Sequence, residues 1–337
     1  MSTDAFANED QDAYCQYVTE QAAAERDRLR TPNVVAGLTQ PNSGLPMQVV
    51  WGVSSSVANN RKAVLTMQVA RKNCQLYQTA VEAQMHVQYA LPEIERDILQ
   101  HRLALIEQAT AQLEILLAAN MKLVEAQNVT RPALYPLKAA KVRLNSSRAT
   151  TSIEITSRYV PQLSSTPLRD LIVSKLDSDR EAQKAMAKLE RQNNWDLALS
   201  VGAHHQVRPL SQEKVAAYGE ISFSYNLADW AIGRHLRDAT ESYGRWKAVQ
   251  AGDVAYAAEI LRRQIGQTIA IQEGQLALLR DEDKEIDQDI EHLGGINTNA
   301  AVGFRNQLIA DQLVLRVDVG DMVFRLDRLR AFLRDNF

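Results

Sequence analysis

Long hydrophobic runs and a strong excess of either charge are missing from this sequence of 337 residues. No window holds the roughly 18 uninterrupted apolar residues of a membrane-spanning helix. Lys and Arg number 38 against 41 Asp and Glu, and this formal net charge of −3 leaves no basic surface for nucleic acid. Residues 1–12 are acidic and polar, unlike a secretory signal peptide. We therefore expect no nucleic-acid partner, and either a cytosolic chain or an exported one whose leader has been removed.

The sequence also lacks the motifs of common catalytic sites. It contains no Gly-rich phosphate loop, no His-Glu-x-x-His pair and no nucleophile elbow around a serine. His204 and His205 are adjacent, but no other His or Cys stands at ligand spacing, so a polar loop is favoured over a metal site. These absences predict a protein that is not an enzyme and that uses no cofactor or metal.

Cysteine is scarce, with only Cys15 and Cys74 present. Both stand almost equally far from a turn centred near Gly44, so a chain folded back at that turn would bring the two thiols to the same height. A disulfide is then geometrically allowed, and two separate buried thiols are the alternative. A bridge would indicate an oxidising compartment such as the bacterial periplasm.

Two pairs of short alternating segments are present, one in each half of the chain. In the second half, apolar residues alternate with mostly polar ones over 195–204 and again over 218–227. The first half repeats this plan more briefly over 34–38 and 47–53. A period of two residues is typical of strands with one apolar face. The sequence therefore predicts two strand pairs, at 32–56 and 194–228.

Long helical stretches follow each strand pair. From about residue 59 to 127, apolar residues recur in steps of mostly three, four and seven, which is the seam of a coiled coil. A later helix, beginning near Ala231, carries a similar seam and ends at Gly294 and Gly295, a good C-terminal stop. The predicted fold is mainly α with β, built from long coiled-coil helical hairpins and four strands, and internally duplicated. The predicted repeats are 1–165, with a hairpin tip near 128–132, and 166–337, with a tip near 294–298.

Four strands cannot close a β-barrel, although each is near the length of a tilted strand that crosses a bilayer. Open strand edges are not tolerated in hydrocarbon, so a membrane role would require several chains to pool their strands. Two chains would give an eight-stranded barrel filled by side chains, whereas three would give twelve strands and a lumen. The alternative is an ordinary half-buried sheet in a soluble protein.

Several stretches resemble a known family. Segments 194–201 and 221–239, with the run Tyr-Asn-Leu-Ala-Asp-Trp at 225–230, look like the strand-to-helix signature of the TolC-type outer membrane efflux proteins, the outer membrane factors. Val129-Thr130, followed by Leu137 and Leu144, is similar to the periplasmic hairpin tip of that family. The element order, a helix followed by two rounds of two strands and two helices, resembles the family over nearly the whole chain.

This resemblance implies a homotrimer whose strands form one twelve-stranded barrel in the bacterial outer membrane. The barrel would continue into a tunnel of helices that spans into the periplasm. An inner-membrane transporter and a periplasmic adaptor protein would deliver the substrate at the hairpin tips. The resemblance thus implies a passive exit duct for efflux or for secretion of the type I kind.

The resemblance also assigns roles to individual residues. Ser200, Ser222 and Ser224 would face the lumen. The residues expected to face outer membrane lipid are Val34, Leu38, Val49, Trp51, Leu197, Leu199, Ile221 and Phe223. The residues expected to contact the adaptor at the tips are Val129, Thr130, Arg131, Gly294, Gly295, Ile296 and Asn297.

The chain departs from the family at the expected position of an acidic gate. Relatives commonly place acidic residues just after the second tip, whereas here Ala300, Ala301 and Val302 occupy that stretch. Acidic residues occur instead on the other side of the tip, and Asp283, Asp287 and Glu291 are the candidates to polarise the entrance. A solvated helix face is the alternative reading of this charge run.

Two other functions fit parts of the pattern. A soluble scaffold could use the helical seams to bind partner helices, with the strand pairs as a small cap. A periplasmic adaptor is the weaker alternative, because adaptors normally pair one helical hairpin with β-rich domains and lack this duplication. Independence from detergent would favour the scaffold over the duct.

Overall fold

The computed structural model describes residues 3–39, 47–161, 163–206, 215–225, 234–235, 238–239, 241–243, 245–246, 253–296 and 298–337. The long helices are α1 (Thr3–Arg30), α2 (Val57–Glu125), α3 (Tyr135–Ser157), α4 (Leu168–Arg191), α5 (Val254–Leu293) and α6 (Asn299–Asn336). The strands are β1 (Asn33–Thr39), β2 (Gln48–Ser56), β3 (Trp195–Gln206) and β4 (Val215–Tyr225). Short 3₁₀ turns cover Arg131–Leu134 and Gln192–Asn194.

This architecture confirms the predicted mainly α fold with four strands. The predicted start of the later helix, near Ala231, lies outside the described residues. The structure describes this helix, α5, from Val254 onward. Strand β4 begins at Val215, three residues before the predicted start. Among the described residues, no helix combines the length and apolar character needed to cross a membrane.

The four strands form one antiparallel sheet in the order β1-β2-β3-β4. Each strand is therefore bonded to its neighbour in the chain, and the two predicted pairs join through β2 and β3. The join runs along β2 from Gln48, paired with Gln206, to Ser56, paired with Ala198. Strands β1 and β4 are the two edges of this sheet.

The chain divides into two compact units, each built from parts of both halves. The first unit comprises 1–84 and 170–256, which include the sheet, α1 and α4. The second comprises 85–169 and 257–337, which include α3 and α6. Each predicted repeat, 1–165 and 166–337, thus contributes residues to both units.

The second unit has a continuous apolar core between α2, α3 and α6. Ile106, Leu113 and Leu137 are fully buried in it. The rest of the buried cluster consists of Ala109, Ala140, Leu144, Ala310, Leu313 and Val317. These positions recur at three- and four-residue steps along each helix, so the coiled-coil pattern of the sequence becomes the packing surface.

Ion pairs tie α2 to α6 beside this core. Arg102 binds both Asp318, at 2.9 Å, and Asp321, at 3.2 Å. Arg325 binds Glu95 at 2.7 Å. Burial raises the pKa of the Asp321 carboxyl above its ordinary value, against the opposing effect of the two guanidinium groups. The charged residues of this helix pair are therefore structural partners of one another.

Helix α2 ends in a Schellman motif at the first tip. Gln127 adopts a left-handed conformation with φ 58°. The Asn128 amide donates to the Leu123 carbonyl at 3.0 Å, and the Gln127 amide donates to the Val124 carbonyl at 3.0 Å. This cap stops the helix without glycine and directs the chain into the 3₁₀ turn that contains Pro132.

Candidate functional site

The sheet gathers the predicted lipid-facing residues on one side. Directly paired residues of an antiparallel sheet project to the same side. Leu38 pairs with Val49, and Leu199 pairs with Ile221. The register therefore places all eight on a single face, the apolar face: Val34, Leu38, Val49, Trp51, Leu197, Leu199, Ile221 and Phe223. Val53 and Val201, which pair with each other, complete its centre.

The apolar face is largely uncovered in the single chain. Val34 is 81% exposed, Ile221 74% and Phe223 67%. Trp51 and Leu199 are also exposed, and Leu197 is half-buried. A contiguous exposed apolar surface on this scale marks a contact with another protein or a membrane.

The opposite side of the sheet, the polar face, carries mostly small and hydrophilic side chains, with Val35 and Val50 as apolar exceptions. Ser200 pairs with Ser54 on β2 and with Glu220 on β4. Ser222 and Ser224 follow on β4, and Ser224 pairs with Asp196. The Ser56 hydroxyl donates to the Asp196 carboxylate across β2 and β3. The three predicted lumen residues therefore share one polar side.

A glycine row lies across the middle of the polar face. Gly52 pairs with Gly202, which pairs in turn with Tyr218. A Cβ at Gly202 would lie 2.2 Å from the Trp51 carbonyl oxygen and 2.8 Å from Cε1 of Tyr218. A Cβ at Gly52 would lie 3.0 Å from the Tyr218 hydroxyl. The tyrosine side chain therefore lies over both glycines, and neither position has room for a side chain.

The first tip is closed by buried contacts. Val129 packs with Ala133 and Val302 and is buried, so it supports the turn from within. Thr130 and Arg131 are exposed. The Thr130 amide donates to Oδ1 of Asn299 at 3.2 Å. Val129 is only 7% exposed, whereas Thr130 and Arg131 are open to solvent, and adaptor contact stays a prediction for all three residues.

The second tip presents its backbone to solvent. Gly294, Gly295 and Ile296 are all exposed. The Gly294 amide donates to the Glu291 carbonyl and the Ile296 amide to the Leu293 carbonyl, so α5 ends in a tight turn. Asn297, also predicted as a contact, lies outside the described residues. Thr298 then caps α6, because its Oγ1 accepts from the Ala301 amide at 3.3 Å.

The acidic candidates near this tip already have partners within the chain. Arg316 donates to Asp283 at 3.0 Å and to Asp287 at 2.9 Å. The Gln312 amide donates to the same two carboxylates, at 3.0 and 2.6 Å. Glu291 is exposed, and no partner for its side chain is seen among the described residues. Two of the three predicted entrance residues thus help to bind α5 to α6.

Cys15 and Cys74 form a disulfide that links α1 to α2, with their Cα atoms 4.9 Å apart. Tyr14 and Tyr77 stack beside the bridge, with ring centroids 4.0 Å apart. The Tyr77 hydroxyl donates to Asp10 at 2.6 Å, and this hydrogen bond to a carboxylate raises the pKa of Tyr77. The two helices that flank the first strand pair are thus joined covalently.

The adjacent histidines lie within β3 and not in a polar loop, which corrects that prediction. Their side chains project to opposite sides of the sheet, because successive strand residues alternate. His204 lies on the polar face, 6.5 Å from the Tyr218 ring, and His205 pairs with Val49 on the apolar face. No group of three or more metal-binding side chains converges anywhere in the described ranges.

Sequence reasoning missed a buried charged cluster in the first unit. Lys175 on α4 donates to Asp253 at 2.5 Å, and both side chains are almost fully buried. Asp253 also accepts from the Ala255 amide at the start of α5. The Tyr243 hydroxyl donates to Asp179 at 3.3 Å, and burial, together with that carboxylate, raises the Tyr243 pKa. The only signal in the sequence was a lysine at an inward position of the amphipathic α4.

The sequence matches no protein-family profile and no curated protein. Its fold is similar to those of several solved structures. It is similar to the outer membrane protein VceC of Vibrio cholerae, at a TM-score of 0.47 and 13% identity, over 100% of this chain and 94% of that one. It is also similar to the Neisseria gonorrhoeae MtrE outer membrane channel in its open state, at a TM-score of 0.45 and 12% identity, over 98% and 86% of the two chains.

Proposed function

We propose that this protein is a passive exit duct of the bacterial outer membrane, assembled from three copies of the chain. The observation that carries the proposal is the four-stranded sheet with one exposed apolar face, one polar face and two edge strands. An efflux or secretion channel needs all three features together. The sequence resemblance to the outer membrane factors points the same way.

The apolar face fits contact with lipid. Side chains such as Ile221 and Phe223 would be unfavourably hydrated in a single soluble chain. A lipid-facing barrel alternates apolar residues outside with polar residues inside, and the register gives this alternation most clearly along β3 and β4.

The edges fix how such a sheet enters a membrane. Backbone groups along the outer sides of β1 and β4 have no strand partner within the described residues. Hydrocarbon provides no hydrogen bonds, so these edges must pair with other copies and the barrel must close. Three copies give twelve strands, which is wide enough for a lumen lined by Ser200, Ser222 and Ser224.

The disulfide supports the location. Bridges such as Cys15–Cys74 persist in oxidising compartments, and the bacterial periplasm is one of them. A duct there would receive its cargo from an inner-membrane transporter through a periplasmic adaptor protein. The exposed tip residues proposed to contact the adaptor are Thr130, Arg131, Gly294, Gly295 and Ile296. Asn297, which lies outside the described residues, is proposed to contact it as well. Reversing the charge of Arg131 should abolish export and leave assembly intact, whereas lost assembly would assign Arg131 to folding.

The experiment that tests the duct is the protein mass of the particle extracted in mild detergent, measured by light scattering corrected for bound detergent. Three chains per particle are expected. A single chain that stays monodisperse without detergent would contradict the proposal and favour the soluble scaffold. The scaffold would use exposed apolar helix residues, such as Ile115 and Leu278, to bind partner helices.

A further inference from the structure

A groove of about 860 Å³ lies in the first unit at one end of the sheet. It is bordered by Arg30, the last residue of α1, and by Gln192, just before β3. One face of the first turns of α2 forms its floor. The floor residues recur at helical spacing: Val57, Asn60, Arg61, Val64 and Leu65. Along the sequence, the start of β1, the end of β2 and the start of β3 each lie within three residues of a residue that lines this groove.

The polar atoms of the groove are mainly hydrogen-bond donors. Arg30 and Arg61 each bring a guanidinium group, and no ion pair engages either one in the described part of the chain. The Gln192 amide nitrogen is buried and finds no hydrogen-bond acceptor among the described residues. Among the described residues, no acidic side chain lines the groove. This donor set fits an anion with several acceptor oxygens.

Apart from the exposed Asn60, the remaining lining is apolar and at least partly open to solvent. Val57 is 40% exposed and Val64 56%, and Leu65 lies beside them on the same helix face. An inorganic anion would leave this strip uncovered. An amphiphile that joins an anionic group to a hydrocarbon chain would satisfy both halves of the lining.

Arg61 relates the groove to the apolar face of the sheet. Its guanidinium lies over the Trp195 ring, 5.2 Å from the centroid. Trp195 projects from the apolar face and pairs with Tyr225 at the end of the sheet. Aromatic pairs at the ends of lipid-facing strands occupy the headgroup level of a bilayer. Arg61 would therefore meet lipid phosphates if the apolar face meets acyl chains.

We propose that this groove binds an anionic phospholipid. Arg30, Arg61 and the Gln192 amide would donate to the phosphate, and an acyl chain would lie along Val57 and Val64. The proposal deepens the duct hypothesis and rests on it for the bilayer position of the sheet. The bound lipid would anchor the junction between strands and helices at the membrane surface.

The test uses the whole protein and a short-chain lipid, dihexanoyl phosphatidylglycerol, kept below its critical micelle concentration. Binding is measured by calorimetry for the natural chain, for Arg30→Gln/Arg61→Gln and for the control Arg71→Gln/Lys188→Gln. The control removes the same charge from exposed positions of the first unit that do not line the groove. We expect about tenfold weaker binding in the groove variant, the equivalent of ~1.4 kcal/mol, and no change in the control. Circular dichroism checks that the natural protein, the groove variant and the control variant are all folded.

Three results would overturn the lipid groove. Equal binding by the natural chain and the groove variant would remove the arginines from the site. Equal binding of dihexanoyl phosphatidylcholine would remove the preference for anionic lipid. Inorganic phosphate binding as tightly as the lipid would show an anion site without a place for the chain. Arg61→Lys should recover only part of the affinity, because lysine keeps the charge but not the forked donor geometry.

The same preparation separates this proposal from the duct itself. A trimer in detergent that does not prefer the anionic lipid would contradict the groove and leave the duct standing. A detergent-free monomer that still binds the lipid through Arg30 and Arg61 would contradict the duct and leave the groove as a lipid site.

Discussion

The sheet of the first unit and the helical core of the second unit treat apolar side chains in opposite ways. In the second unit, Leu113 and Leu137 are fully buried by helices of the same chain. In the sheet, Ile221 and Phe223 are more than half exposed. A single chain therefore completes its helical core, whereas the described part of the chain leaves the apolar face of the sheet largely uncovered. This difference is the reason for proposing the sheet, and not the helical core, as the surface that meets lipid.

The largest effect is expected at the glycine row of the sheet. Gly202→Ala would place a Cβ against the Trp51 carbonyl, where no flexible side chain can move aside. We expect a loss of more than about 3 kcal/mol in unfolding free energy, above typical overpacking. Chemical denaturation of the detergent-solubilised protein measures it. Gly219→Ala, with nothing within 4 Å of its Cβ, is the matched control and should differ little from the natural chain.

The next largest loss of unfolding free energy is expected for substitutions in the core of the second unit. This loss should not depend on lipid. Leu113→Ala removes a fully buried side chain, and we expect a loss of about 3 kcal/mol in unfolding free energy. Ile115, two residues further along α2, is 70% exposed, so Ile115→Ala should cost less than about 0.5 kcal/mol. Denaturation with and without detergent measures both. A Leu113→Ala effect that depends on detergent would break the contrast between the two regions.

Adding a charged side chain to the apolar face should lower the stability of the protein only when that face is in lipid. Ile221→Arg should destabilise the reconstituted protein by about 2 kcal/mol and lower the yield of trimer. Ser222→Arg, the next residue on the polar face, is the control and should assemble normally. Unfolding of the vesicle-reconstituted proteins gives the comparison. Equal losses for the two variants would show that the apolar face does not meet lipid.

The smallest effect is expected in the pH dependence of stability, through the buried Asp321 carboxyl of the second unit. Burial raises the folded-state pKa of Asp321 above its unfolded value, so the folded state holds this proton to higher pH. Its contribution to stability is present below the unfolded pKa and is lost as the pH rises through the raised folded pKa. Asp321→Asn should remove this part of the pH dependence.

Asp318→Asn provides the control for that profile. Asp318 binds the same Arg102 but is far more exposed than Asp321. Thermal unfolding over a series of acidic and neutral pH values measures both variants. If Asp318→Asn flattens the profile as much as Asp321→Asn, the pH dependence does not arise from burial of Asp321.

Local patterns in the sequence predicted most of the secondary structure. The period of two at 195–204 predicted β3, because strand alternation is set by neighbouring residues. The two ends of α4, 168–191, are marked in the sequence by Pro167 and by the strand pattern that follows the helix. The start of β4 was less accurate, because Val215 and Ala217 carry little alternating polarity of their own.

Contacts between distant residues were beyond such patterns. Arg316 neutralises Asp283 and Asp287, 33 and 29 residues away, so two carboxylates of the acidic run are paired in the fold. Val129 sits in a polar turn yet is buried, because Val302 from the other tip covers it. Tertiary packing determines these positions, and spacing along the chain does not encode it.

The Cys15–Cys74 bridge has a consequence for the unfolded chain. It closes a loop across a sequence separation of 59 residues, and that loop contains both β1 and β2. Closing a loop of this length removes roughly 4 kcal/mol of conformational entropy from the unfolded chain in the simplest model. Once oxidised, the chain holds its first two strands within one closed loop, whether or not the third and fourth are in place. Pairing of β1 with β2 then depends on neither protein concentration nor the arrival of a second copy.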